Sequence, residues 1–126
     1  MSYSDKSVLI CDDSILARKQ LKDAICEFCD GITIYEGKNG QEAVDLYQEH
    51  TPDLVLLDIV MPEMDGTTAV EKIIASDPNA TVVIVSSVGT QLQLKKAITA
   101  GAKDFIQKPI DISQVHNLIK THLGGE

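Results

Sequence analysis

The chain has 126 residues, 44% apolar and 24% charged, which suits one ordinary domain with a buried core and speaks against disorder. Eleven Lys and Arg stand against nineteen Asp and Glu, a net charge of −8, which argues against a nucleic-acid backbone or an anionic membrane surface as partner. No apolar run exceeds four residues, so neither a transmembrane helix (about 20 residues) nor a signal-peptide core (about 7–15) fits. Three cysteines without framework spacing suit a reducing cytoplasm.

Short apolar runs alternate with longer helical patterns. Val8-Leu9-Ile10-Cys11 predicts a strand buried on both faces, because β-branched and apolar residues follow one another without polar alternation. A helix over about 14–28 carries the stripe Ala17, Leu21, Ile25, Phe28. Ile32-Thr33-Ile34-Tyr35 reads as a second strand. Asn39-Gly40 opens a helix with Ala43, Val44 and Tyr47 inward, which Thr51-Pro52 ends. Leu54-Val55-Leu56-Leu57 is the third strand, and Pro62 and Asp65-Gly66 lead into a helix over about 67–76. The fourth strand is 81–85. A helix over 91–100 follows, with Gly101 in the usual C-cap place. A fifth strand, 104–107, is broken by Lys108-Pro109, and a last helix over 112–123 sets Ile112, Val115, Ile119 and Leu123 on one face.

Fivefold strand–helix alternation predicts an α/β fold, a doubly wound parallel sheet with helices on both faces. No linker or low-complexity tract interrupts it, so the expectation is a single domain over 1–126 with its core at about 8–123.

Polar residues gather where the strands end. Asp12-Asp13 directly follows the first, Asp58 the third, Ser86-Ser87 the fourth and Lys108 the fifth. In an open parallel sheet these ends share one edge, where ligands bind. Each residue alone reads as a helix cap, a turn residue or a solvated lysine; falling after four of five strands, they read together as a site. Three carboxylates in one crevice call for a cation, and hard oxygen ligands suit Mg²⁺. With a lysine and a hydroxyl alongside, the set suits a phosphoryl group, and one carboxylate could accept it. Asp58, flanked by Leu57 and Ile59 at the sheet centre, is the natural acceptor, while the Asp12-Asp13 pair suits the ion. Cys26-x-x-Cys29 lacks a second pair, and Cys29, one turn after Ile25, reads as a structural cysteine.

Asp12-Asp13, Asp58 followed by Met61-Pro62 and Asp65-Gly66, Ser86, and Lys108-Pro109 together resemble the receiver domain of bacterial two-component response regulators. Met61-Pro62-Glu63-Met64-Asp65-Gly66 and Gly101-Ala102-Lys103-Asp104-Phe105-Ile106 are most similar to its stand-alone chemotaxis, CheY-like group. The resemblance implies a flavodoxin-like five-stranded sheet in the order 2-1-3-4-5. It implies that Asp58 accepts a phosphoryl group from the phospho-histidine of a sensor histidine kinase or phosphotransfer protein. Asp13, Asp58 and the backbone carbonyl of Val60 would hold Mg²⁺, with Asp12 acting through water. Ser86 would hydrogen-bond the phosphoryl group, Lys108 would pair with Asp58 and then with the phosphoryl group, and Phe105 would be the switch aromatic. The Lys108-Pro109 bond would be cis, and Val60 and Val88 would overhang the site and slow dephosphorylation. The expected protein is a cytoplasmic signalling switch rather than an enzyme acting on a metabolite. Its signal would reach a downstream protein target through the face formed by the fourth helix, fifth strand and fifth helix, with Leu92 and Lys96 exposed beside Phe105 and Leu94 packed inward with Ile98.

Rival readings are a phosphate sink, a receiver cut from a larger regulator, a haloacid dehalogenase-type phosphohydrolase and a flavodoxin-like flavin carrier. The phosphohydrolase class wants a second carboxylate where Val60 stands. The flavin carrier wants a phosphate loop where Asp12-Asp13 stands.

Overall fold

The computed structural model describes residues 5–29, 31–59, 66–87, 91–108 and 110–123. In chain order these form β1 (Ser7–Cys11), α1 (Ile15–Phe28), β2 (Thr33–Gly37), α2 (Gly40–His50), β3 (Leu54–Asp58), α3 (Gly66–Ser76), β4 (Val82–Ser86), α4 (Gln91–Ala100), β5 (Asp104–Gln107) and α5 (Ile112–Leu123). The five strands are parallel, in the order β2-β1-β3-β4-β5. The order reverses between β2-β1 and β3, so the crevice above β1 and β3 is the topological switch point where this sheet class binds ligands.

Alternate side chains of the buried strands feed two cores. Leu9, Cys11, Val55, Leu57, Val82 and Ile84 point to the α2–α3–α4 side. Val8, Ile10, Leu54, Leu56, Val83 and Val85 point to the α1–α5 side. The continuous apolar runs follow directly, since both faces of β1, β3 and β4 are covered.

Local chemistry sets the helix ends. The Ser14 hydroxyl caps α1 by accepting from the Ala17 N–H at 3.2 Å. The Asn39 side chain caps α2 by accepting from the Glu42 N–H at 2.8 Å, and Glu42 reaches back to the Lys38 N–H at 2.9 Å. Thr51 ends α2 in the left-handed conformation, φ 43°, before Pro52. Gly101 follows α4 at φ 127°.

Four expectations are corrected. β2 runs to Gly37 rather than stopping at Tyr35, because Glu36 and Gly37 pair with Ile10 and Cys11; an added Cβ on Gly37 would lie 2.8 Å from the Cys11 sulfur. Asp58 and Ser86 are the last strand residues rather than the first loop residues. Ile112 lies in the first turn of α5 and is 48% exposed, and Leu118 takes the inward place beside Val115 and Ile119. On α4 the fully buried residue is Ala97, while Ile98 is 41% exposed; Leu94, at i−3 from Ala97, is the partly buried leucine.

Candidate functional site

The C-terminal strand ends bring Asp12, Asp13 and Asp58 together, with one carboxylate oxygen from each lying within 4.8 Å of the others. Asp12 follows β1 and is 1% exposed, Asp58 ends β3 and is buried, and Asp13 is exposed. Lys108, just after β5, crosses the crevice. Its ammonium lies 2.7 Å from Asp12 Oδ2 and 3.4 Å from Asp58 Oδ2. The resemblance implied a pairing with Asp58; here the shorter contact is to Asp12. Asp12 Oδ1 also accepts from the Ser14 N–H at 2.9 Å. Ser86 is buried at the end of β4, and its carbonyl accepts from the Lys108 N–H at 2.6 Å, tying the chain after β5 to β4.

Burial alone lowers the Lys108 pKa. The hydrogen bond to Asp12 and the charges of Asp58 and Asp12 outweigh it, so the ammonium titrates above the ordinary lysine value. Three carboxylates against one ammonium leave the crevice anionic, and crowded oxygen ligands of that kind fit a hard divalent ion.

Arg18 escaped the sequence reading. Its Nη1 donates to the Asp12 carbonyl at 2.6 Å and its Nε to Glu36 Oε1 at 3.2 Å, so it fastens the end of β1 to α1 and β2. The available signal was its place one turn into the helix after Ser14, whose carbonyl accepts from the Arg18 N–H at 3.1 Å. Ile15 and Leu16, in the first turn of α1, are exposed beside the crevice.

Gly66 opens α3 directly against the backbone of Asp58 and Ile59. Its N–H donates to the Ile59 carbonyl at 2.7 Å, and an added Cβ would lie 2.3 Å from the Asp58 carbonyl oxygen and 2.6 Å from Ile59 Cα. Phe105, on β5, is 47% exposed; a hollow of about 190 Å³ touches it together with Ser86, Gln91, Leu94 and Gln107. Leu94, not Leu92, is therefore the α4 leucine beside Phe105. Leu92 and Lys96 turn to the other side of α4, toward Thr67 and Glu71 of α3. Val60, Met61–Asp65, Val88 and Pro109 lie outside the described residues, and with them the proposed carbonyl ligand, the overhanging valines and the cis bond.

Residues 8–120 match the response regulator receiver domain family. The chain is 47% identical over 111 residues to the chemotaxis protein CheY of Thermotoga maritima, covering 87% of this chain and 91% of that one. It is 43% identical over 117 residues to CheY of Bacillus subtilis, covering 92% and 96%. Among solved structures, a CheX–CheY–BeF₃–Mg²⁺ complex from Borrelia burgdorferi aligns with TM-score 0.84 and 36% identity, covering 96% of this chain and 90% of that one. The chain belongs to the response regulator receiver domain family. Its relatives place it among CheY-like proteins of two-component signal transduction. Among the described residues, no helix is long and apolar enough to cross a membrane.

Proposed function

We propose that this chain is a single receiver domain acting in the cytoplasm as a phosphoryl-accepting switch, with Asp58 as the acceptor. The observation that carries the reading is the placement of Lys108 between Asp12 and Asp58, with Asp13 completing the acidic cluster. A buried carboxylate beside a positioned ammonium is a nucleophile whose product charge is already matched.

In the transfer, an Asp58 carboxylate oxygen attacks the phosphorus of a phospho-histidine on a sensor kinase or phosphotransfer protein. The phosphorus–nitrogen bond breaks, the departing imidazole nitrogen ends up protonated, and an aspartyl phosphate remains. Lys108 moves its ammonium from Asp12 toward the new phosphoryl oxygens, a short shift given that it already reaches both carboxylates. Ser86 donates its hydroxyl to the same group. Asp13 and Asp58, with Asp12 behind them and the Val60 carbonyl as the family resemblance implies, would hold Mg²⁺. When bound, the ion neutralises the phosphoryl oxygens. Attack of water on phosphorus later returns Asp58 and inorganic phosphate. Ile15 and Leu16 give the donor protein an apolar footing at the rim.

The signal leaves through α4, β5 and α5. The hollow between Ser86 and Phe105 gives the ring a place to enter when Ser86 is drawn to the phosphoryl group, shifting an existing equilibrium of that face and its affinity for a downstream protein. Incubation with acetyl phosphate and Mg²⁺, followed by intact-mass measurement, tests the acceptor. The expected result is a gain of one phosphoryl group that disappears in Asp58→Asn; a gain that persists in that variant removes Asp58 from the role. Loss of the gain in Asp13→Ala would place the ion as stated.

A further inference from the structure

Outside the crevice, a groove of about 530 Å³ lies between α3 and α4. Its α4 wall is Leu92, Lys95, Lys96 and Thr99, which are spaced i, i+3, i+4, i+7 and so run along one side of the helix for two turns. Its α3 wall is Thr67 and Glu71, one turn apart. Leu92 is 65% exposed within it. A groove between two helices is the kind of channel in which a third helix lies with its apolar stripe inward.

Charge selects the occupant. The chain is strongly acidic, but unevenly so: residues 1–90 carry six Lys and Arg against sixteen Asp and Glu, whereas residues 91–126 carry five against three. α4 has two lysines and no acid. Among the described residues no carboxylate pairs with Lys95 or Lys96. Both lysines line the groove with exposed Leu92, and Glu71 is the one carboxylate among its lining residues. We infer that the α3–α4 groove docks an acidic amphipathic helix of a partner protein, with an apolar side chain seated on Leu92 and carboxylates facing Lys95 and Lys96. This surface lies on the opposite side of α4 from Leu94 and Phe105, so it is distinct from the proposed output contact around Phe105.

The test uses a fluorescein-labelled, end-capped 14-residue peptide with leucine at helical i, i+4, i+7 and i+11 positions and glutamate elsewhere. A control peptide keeps every glutamate and has each leucine replaced by serine. Fluorescence polarisation on the intact chain should show saturable binding of the leucine peptide and none of the serine one. Leu92→Asp should weaken binding about tenfold or more, and Lys95→Glu with Lys96→Glu about fivefold. Glu71→Gln removes a like charge from the opposite wall and should tighten binding about twofold, a gain that misfolding cannot imitate. Lys19→Glu, a charge reversal on the exposed side of α1, should leave affinity unchanged. No binding up to millimolar peptide, equal binding of the serine peptide, or a loss in Lys19→Glu as large as that in Lys95→Glu with Lys96→Glu would overturn the inference. So would a concentration-dependent dimer of the free chain that Leu92→Asp abolishes, since the groove would then be filled by a second copy.

Discussion

Asp12 shows how one buried charge is made tolerable. Its N–H donates to the Gly37 carbonyl, its own carbonyl accepts from Arg18, and its two carboxylate oxygens accept from Ser14 and Lys108. Removing one partner of such a pair leaves the other uncompensated. Lys108→Met keeps the aliphatic stem and removes the ammonium, so metal-free protein should lose about 2–3 kcal/mol of stability in urea denaturation. Added Mg²⁺ should restore part of the loss, because the ion takes over the same carboxylates. Alkaline behaviour follows from three residues. Burial pushes the Cys11 thiol up to about 12. Burial and the hydrogen bond to Asp77 push the Tyr47 hydroxyl up, and Lys108 is also raised. In each case the folded chain holds a proton that the unfolded chain releases earlier, so stability falls as pH rises. For Cys11 the fall begins near the unfolded thiol pKa of about 8.5 and continues to about 12. The urea midpoint should therefore be lower at pH 10 than at pH 7.5. Native alkylation with iodoacetamide at pH 8.5 should modify exposed Cys26 and spare buried Cys11 and Cys29, giving a single adduct by mass.

At the scale of the element, α3 is aimed by its first residue. Gly66 lets the helix start in contact with the backbone of Asp58 and Ile59, closer than any side chain permits. Gly66→Ala should cost about 2 kcal/mol or more, as overpacking does. It should also slow acetyl-phosphate labelling more than the stability loss explains, because the strain falls on the peptide of the proposed acceptor, Asp58. Stopped-flow labelling at a temperature where the variant is fully folded separates the two effects. α2 and the chain after α3 are joined elsewhere by Tyr47, whose hydroxyl donates to Asp77 Oδ2 at 2.7 Å. α4 shows the limit of periodicity. Leu94 and Ile98 share a side at i+4, but the helix turns Ala97 to the core, and its small side chain lets α4 lie close to its neighbours.

Across the whole molecule, the crevice and the β5 edge are linked by a short path: Asp58 on β3 pairs with Val85 on β4, the next residue Ser86 pairs with Gln107 on β5, and Phe105 lies two residues from Gln107. Amide chemical shifts recorded with Mg²⁺ and beryllofluoride, a phosphoryl mimic, should change at Asp58, Ser86 and Lys108 and also at Leu94 and Phe105. Changes confined to the crevice would mean that the switch leaves by another surface. Much of this arrangement was legible in the sequence. Buried parallel strands need apolar residues on both faces, so β1, β3 and β4 announced themselves as apolar runs and the helices as stripes; the edge strands β2 and β5 followed from the alternation, and parallel connectivity put Asp12, Asp13, Asp58, Ser86 and Lys108 on one edge. What the sequence left open depended on contacts between distant segments. Glu36-Gly37 resembles a turn, and only the ladder with β1 makes it strand. The partner of Lys108 is a matter of ångströms between two carboxylates that a motif treats alike. Whether Leu92 or Leu94 meets Phe105 depends on how α4 is rotated against the sheet, and in that rotation the fully buried residue is the small Ala97 rather than Leu94 or Ile98. Sequence periodicity specifies which residues share a face; only packing against the rest of the chain decides which face turns inward.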